Sequence, residues 1–261
     1  MSETLSDVVS TVVESAAGLV GRIRSRNPRI HCITNTVAQA FTANALLAAG
    51  ATPSVTTSPE EIAGFVAGAD GLLVNLGTLD NERREAIGLA LDAAAARQIG
   101  FVLDPVFVDR SPSRLAFARS LIDRKPAVIR LNAAELTALA GEAASAACAR
   151  RFAQASGAVV ALTGEADIVT DGQRLVALRN GDELMSKVTA MGCAGSAFVA
   201  SALTVEPDRW LATAAAMMTF GIAGEFAADI SNGPGSLGFA ILDALHAMSP
   251  DMVLQHAWAE A

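Results

Sequence analysis

The chain has 261 residues, 52% hydrophobic and 18% charged, with a formal net charge of −8. That length suits one large α/β domain or two small ones, and so apolar a composition excludes general disorder. The acidic balance argues against a nucleic-acid surface, which needs a basic stripe, but leaves room for a polyphosphate neutralised by backbone N–H groups and a divalent metal.

Residues 5–25 carry apolar positions at helical spacing, Val8, Val9, Val12, Val13 and Ala16 among them. A strand follows at 29–34, then a helix at 37–50 closed by Gly50. Residues 52–57 are a short β-rich piece. The helix expected at 58–69 opens with Ser58 as N-cap and Pro59 at its first position. An apolar strand at 71–77 precedes a long helix at 80–100 and a strand at 101–106 that ends in Asp-Pro. A helix at 111–124, a strand at 127–132 and helices at 133–142 and 146–157 continue the alternation. Residues 158–178 hold two or three strands with a turn at Asp171-Gly172. Beyond residue 193 the pattern is helical, at 194–205, 207–231 and 235–249.

Repeated strand–helix units imply an α/β fold, a mainly parallel sheet covered on both faces. Ligands bind beyond the carboxyl ends of such strands. Polar residues fall there: Thr34 and Asn35, Asn75, Gly77 and Thr78, Asp104, Arg130 and Asn132, then Thr163, Gly164 and Glu165. Convergence on one rim is the expectation, although loops are polar in any case.

Cys32, Cys148 and Cys193 are odd in number and far apart, without a C-x-x-C pair. Neither a disulfide framework nor a structural zinc site is expected. The first 28 residues lack a basic segment followed by a clean apolar run, so no signal peptide is expected. The apolar segments are read as interrupted before membrane length, and a soluble, reducing, cytoplasmic setting is the expectation.

The stretch KVTAMGCAGSAFVAS, residues 187–201, places a thiol at a helix entrance. Free N–H groups there could hold an anion and lower the pKa of Cys193. Equally, Cys193 could be a small buried hydrophobe. Asp104 and Glu135 suit Mg²⁺ beside a phosphate, or a turn and a helix start. Arg130 could fork onto a phosphate or pair with an acid. Thr163 and Gly164 could offer hydroxyl and backbone donors, or simply form a turn. His31 is expected to be packed and hydrogen-bonded rather than a ligand. The glycine-rich entry to the last helix, residues 231–246, could flank a nucleotide or serve as a tight connection. No H-E-x-x-H, G-x-S-x-G, Walker A or G-x-G-x-x-G occurs.

In combination and order, seven segments resemble the hydroxyethylthiazole kinase family, thiamine-pathway members of the ribokinase-like superfamily. They are residues 31–55, 72–80, 102–106, 127–136, 162–172, 187–193 and 233–245. The resemblance implies a ribokinase-like three-layer α/β/α fold, with 1–261 as a single kinase domain. It implies transfer of the γ-phosphoryl of ATP to the primary hydroxyl of 4-methyl-5-(2-hydroxyethyl)thiazole, with Mg²⁺. By position, Arg130 and Thr163 match ATP contacts, and Asp104 and Glu135 match acidic metal-and-phosphate residues. Asn35, Val37 and Val55 fall on the thiazole pocket, and Ala190 on the substrate side of the anion loop. Cys193 matches the cysteine proposed as catalytic. A homotrimer is implied, placing segment 31–55 of one chain against 187–195 of a neighbour.

Two departures stand out. Ala190-Met191-Gly192 replaces a Gly-small-Gly pattern, so a positive φ at Ala190 would strain it and Met191 would crowd the acceptor. Phe107, Val108, Asp109 and Arg110 replace small residues near the metal-phosphate region. The alternatives are a ribokinase-like kinase for another small heterocyclic alcohol, or a catalytically weak protein that binds thiazole or nucleotide.

Overall fold

Side-chain caps set the starts of six α-helices in the computed structural model, which describes residues 5–261. The first half runs α1 (Leu5–Arg26), β1 (Arg29–Ile33), α2 (Gln39–Ala49), β2 (Thr52–Ser54), α3 (Ile62–Ala67), β3 (Gly71–Asn75), α4 (Asn81–Ala96) and β4 (Phe101–Asp104). Then come α5 (Pro112–Ile122), β5 (Val128–Asn132), α6 (Ala133–Ala140), α7 (Ala146–Ser156), β6 (Val159–Thr163), β7 (Asp167–Thr170) and β8 (Leu175–Leu178). A 3-10 turn (Glu183–Lys187) leads to α8 (Met191–Ala202), α9 (Arg209–Asp229), α10 (Pro234–Ala247), α11 (Pro250–His256) and β9 (Ala259–Glu260).

Asp80, Ser111, Asn132 and Ser145 each accept a backbone N–H three residues on, capping α4 to α7. Gly50 ends α2 at φ 95°, a left-handed turn that suits glycine. Ser58, expected as a cap, is not one. Its carbonyl accepts from Glu61 N and Ile62 N, and α3 starts only at Ile62. The backbone closes that turn by itself, so the hydroxyl is not needed. Two short elements, α11 and β9, lie where no element was read.

The nine strands form one sheet in the order β2-β1-β3-β4-β5-β6-β7-β8-β9. Pairing is parallel from β2 through β6 and antiparallel from β6 to β9. Alternate strand residues feed two cores. Leu73 and Val128 pack with α1, α2, α8, α9 and α10, whereas Leu72, Val74, Ile129 and Leu131 pack with α3 to α7. The result is the expected three-layer arrangement.

The expectation about membrane length needs correction. Taken singly, α9 is the one helix among the described residues long and apolar enough to cross a membrane, and 78% of its apolar window is buried inside the protein. Its apolar surface is used by packing against α1, α8 and α10, which explains the composition.

Candidate active site

The parallel strands end on one rim, and α8 points its first turn at that rim. Two adjoining clefts result. The first, of about 610 Å³, is lined among others by Asn35, Gly77, Thr78, Asp104, Glu135 and Cys193. The second, of about 690 Å³, is lined among others by Gly164, Asp167, Asn180, Met191, Met217 and Phe220. Arg130, Thr163, Ser186 and Gly192 line both. The convergence expected from strand-end polarity is therefore present.

Ala190 is the N-cap of α8, at φ 75° and ψ −3°. That is the left-handed backbone anticipated for the loop, and a costly one for alanine. Met191 N bonds back to Val188 O. The N–H groups of Gly192 and Cys193 find no acceptor among the described residues, as expected for a first helical turn, and form a donor pair at the positive end of the helix. Arg130 Nη1 donates to Gly192 O at 3.1 Å. A Cβ on Gly192 or Gly195 would stand 3.4 Å from the guanidinium, so small residues let Arg130 lie against α8. Its Nε is buried without a partner, an orphan donor at the junction of the clefts.

Asp104 is 5% exposed. Its Oδ2 accepts from Asn75 Nδ2 and Ser196 Oγ, each at 2.8 Å. Burial pushes its pKa up, with Arg130 and the two donors opposing. Glu135 is spanned by backbone donors: Phe107 N reaches Oε1 at 3.0 Å and Asn132 N reaches Oε2 at 2.9 Å. With Asn132 it completes a capping box on α6. Burial pushes its pKa up, and the Asp104 charge adds to the rise. A Glu135 carboxylate that feels the Asp104 charge favours a cation near the pair. Among the described residues no group of three or more His, Cys, Asp or Glu forms a metal cage. Mg²⁺ does not require one, since it takes one or two carboxylates with water and phosphate oxygens. The donor set fits that ion.

Of the two readings left open for Cys193, the structure favours the buried thiol: burial and then the Asp104 charge push its pKa up to about 11, against the lowering that a helix start alone would give. The thiol is neutral near pH 7. Its sulfur accepts from Asn35 Nδ2 at 3.2 Å and Asn75 Nδ2 at 3.3 Å. Asn35 Oδ1 is buried and unpartnered, which leaves an acceptor beside the thiol for an incoming donor.

The remaining expected residues divide. Val37 lines the first cleft and is 72% exposed. Val55 does not line it; after β2 the chain turns Val55 against the α-helical core. Met191 borders the second cleft rather than the first, because helical geometry turns it away from Ala190 and Cys193. Asn35 meets Cys193 of its own chain, so the first cleft is already partly assembled within one subunit. His31 is buried, with ring nitrogens 2.7 Å from Ser54 Oγ and 3.0 Å from Thr56 O, and desolvation lowers it to about 4. The 231–246 segment stands outside both clefts. Ser196 and Asp167 were missed. Ser196 is a polar residue three positions past Cys193 on an apolar helix, and that spacing was the available signal. Asp167 accepts Gly164 N at 3.0 Å and so shapes the second cleft.

The profile of the Hydroxyethylthiazole kinase family matches residues 20–251. A hydroxyethylthiazole kinase from Cronobacter sakazakii is 43% identical over 247 residues, covering 90% of this chain and 93% of that protein. This chain belongs to the hydroxyethylthiazole kinase family. As a kinase it uses ATP as co-substrate. A structure of hydroxyethylthiazole kinase protein from Pyrococcus horikoshii OT3 superposes with a TM-score of 0.89 at 32% identity, covering 94% of this chain and 98% of that one. A ribokinase-like superfamily protein from Enterococcus faecalis V583 gives 0.68 at 16% identity, over 87% and 89% of the two chains. That second likeness shows the ribokinase-like fold.

The two stretches read as departures each carry backbone strain at the first cleft. Ala190 has φ 75° and Phe107 has φ 58°. Phe107 is 59% exposed at the cleft, held by its N–H to Glu135. Strain of this kind persists where surrounding contacts over-determine it.

Proposed function

We propose that this chain transfers the γ-phosphoryl group of ATP to the primary hydroxyl of 4-methyl-5-(2-hydroxyethyl)thiazole, for thiamine biosynthesis or salvage. One observation carries the assignment of sites. Arg130 straddles two adjoining clefts at the point where the free N–H groups of α8 face outward. The thiazole alcohol occupies the first cleft, against Asn35, Val37 and Ala190. The nucleotide occupies the second, with its phosphates on Arg130, Thr163 and Gly164. The γ-phosphoryl sits at Ala190-Met191-Gly192 and the N–H of Cys193.

The alcohol oxygen forms the new P–O bond, the bond to the β-phosphate bridging oxygen breaks, and ADP leaves. Such a transition state needs positioning and charge stabilisation more than a strong base. The Cys193 thiol, neutral and held by two amides, orients the hydroxyl, whose proton departs late to water or phosphate. Asp104 and Glu135 would hold Mg²⁺, which when bound supplies positive charge against the phosphate oxygens. The proposal includes a single kinase domain over 1–261, supported by one continuous sheet, and a cytoplasmic setting. It also includes a homotrimer, supported by the exposure of Val37 at the cleft edge; a neighbour would complete the acceptor side, where Val55 does not.

The test is a coupled ADP-release assay with and without Mg²⁺, offering the thiazole, pyridoxal and a hydroxymethylpyrimidine separately. Thiazole-dependent, Mg²⁺-dependent release is expected. Preference for another acceptor would point to a kinase for a different heterocyclic alcohol, for which exposed Phe107 is the favouring observation. Tight thiazole binding without ADP release would overturn the catalytic assignment.

A further inference from the structure

Asp104 and Cys193 share one hydrogen-bonding neighbour that has so far been given no role. We infer that Asn75 is a positioning residue for the transfer: its amide ties the Asp104 carboxylate to the Cys193 thiol and fixes both on the floor of the first cleft. The inference rests on assigning that cleft to the transfer.

Asn75 ends β3 and is in register with Asp104 at the end of β4. Paired residues on neighbouring strands present their side chains to one face. That face receives α8, where Cys193 and Ser196 are three residues apart on one stripe. Asn75 is 2% exposed. Its amide has one permitted orientation. The atom 2.9 Å from Gly77 N must be the oxygen, because a backbone N–H only donates. The NH₂ end therefore faces Asp104 Oδ2 at 2.8 Å and Cys193 Sγ at 3.3 Å, so both hydrogens are used.

This arrangement has two consequences. Asn75 and Ser196 together fix Asp104 through Oδ2, which leaves Oδ1 without a hydrogen bond from the described residues. The sulfur of Cys193 is an acceptor toward Asn75, so its S–H is directed elsewhere. The competing explanation is that Asn75 merely closes the turn after β3 through Gly77. Asn75→Asp separates the two. A carboxylate oxygen still accepts from Gly77 N; when ionised the new side chain offers no donor to Asp104 or Cys193 and sets a second negative charge against Asp104, so the double-mutant comparison with Cys193→Ala isolates the lost tie to the thiol.

The experiment uses the full chain with Asn75→Asp and Asn75→Ala, each in the wild-type and Cys193→Ala backgrounds. Melting temperature, kcat and both KM values are measured. For Asn75→Asp, kcat falls about 100-fold while the KM for ATP stays within about threefold, the pattern of lost transition-state positioning. In the Cys193→Ala background the same change costs at least about fivefold less, because coupled residues are non-additive. If Asn75→Asp does not fold, Asn75→Ala, which also loses the bond from Gly77 N, is read through its difference between the two backgrounds, with a loss of about 30-fold expected in the wild-type one. A folded variant with kcat within about threefold of wild type, or equal losses in both backgrounds, overturns the inference. Absence of thiazole-dependent turnover in the wild-type chain would instead sink the transfer assignment itself.

Discussion

Gly77 follows β3, and the space a side chain would take there is already filled. A Cβ at this position would stand 2.5 Å from Asn35 Cβ, 2.8 Å from Asn35 Nδ2 and 2.9 Å from Asn75 Oδ1. Carbon contacts ordinarily lie at about 3.5–4.0 Å, so Asn35 must retreat by about 1 Å in Gly77→Ala. A Cβ is bonded to the backbone, so no rotamer change achieves this. The backbone around Asn35 has to move, and the 3.2 Å bond from Asn35 Nδ2 to Cys193 Sγ breaks. Gly77 is not in the left-handed region, where alanine would be strained for another reason. Without the clash, Gly→Ala would stabilise by about 0.4–1 kcal/mol through the unfolded chain. Overpacking instead costs about 1–3 kcal/mol, a fall of about 3–10 °C in Tm for a chain of this size. Misplacing a positioning group by about 1 Å also costs on the order of 10²-fold in rate. The assay is thermal unfolding alongside ADP release at saturating ATP with the thiazole varied. Lower Tm and reduced kcat/KM for the thiazole are expected. A raised Tm with wild-type kcat/KM would refute the packing at the cleft floor.

Cys193→Ala is expected to slow turnover by about 10–10³-fold without abolishing it, measured as kcat. With the thiol at about 11, only about 10⁻⁴ of it is ionised at pH 7, so wild-type kcat stays flat from about pH 6.5 to 8.5; a tenfold rise per pH unit would show that the thiolate is the working base. Ala190→Gly relieves a left-handed strain of about 1–2 kcal/mol and returns about 0.4–1 kcal/mol through unfolded-chain entropy. The net is a Tm higher by about 1–3 °C, and a lower Tm in a thermal scan would contradict it. Asp104→Asn is expected to weaken the Mg²⁺ dependence of turnover more than thiazole binding; an unchanged Mg²⁺ titration removes Asp104 from the metal.

Short, weakly periodic pieces were the hardest to read. Residues 250–256 and 259–260 have little pattern of their own, and β9 exists because β8 offers it an edge, at Ala177 and Leu178. The Ser58 cap failed for a related reason: a local motif permits a bond, and the backbone satisfied the same donors first. Glu135 was readable as a capping box, since Asn132 and Glu135 are three residues apart. Its contact with Phe107 N was not, because that neighbour comes from another loop.

Chain order and residue type by themselves determined the alternation of elements, the covered parallel sheet and the rim of Asn35, Asn75, Asp104, Arg130 and Thr163. Period, caps and strand-end polarity are local, and local chemistry survives in a linear string. Only the tertiary structure decided the state of Cys193, the placement of Met191 and Val55, and the amide bridge of Asn75. Each depends on which groups lie close in space but far apart in the chain. A helix start alone favours a thiolate; burial under the closed packing of α8 on β3 and β4, and then the Asp104 carboxylate, reverse that preference.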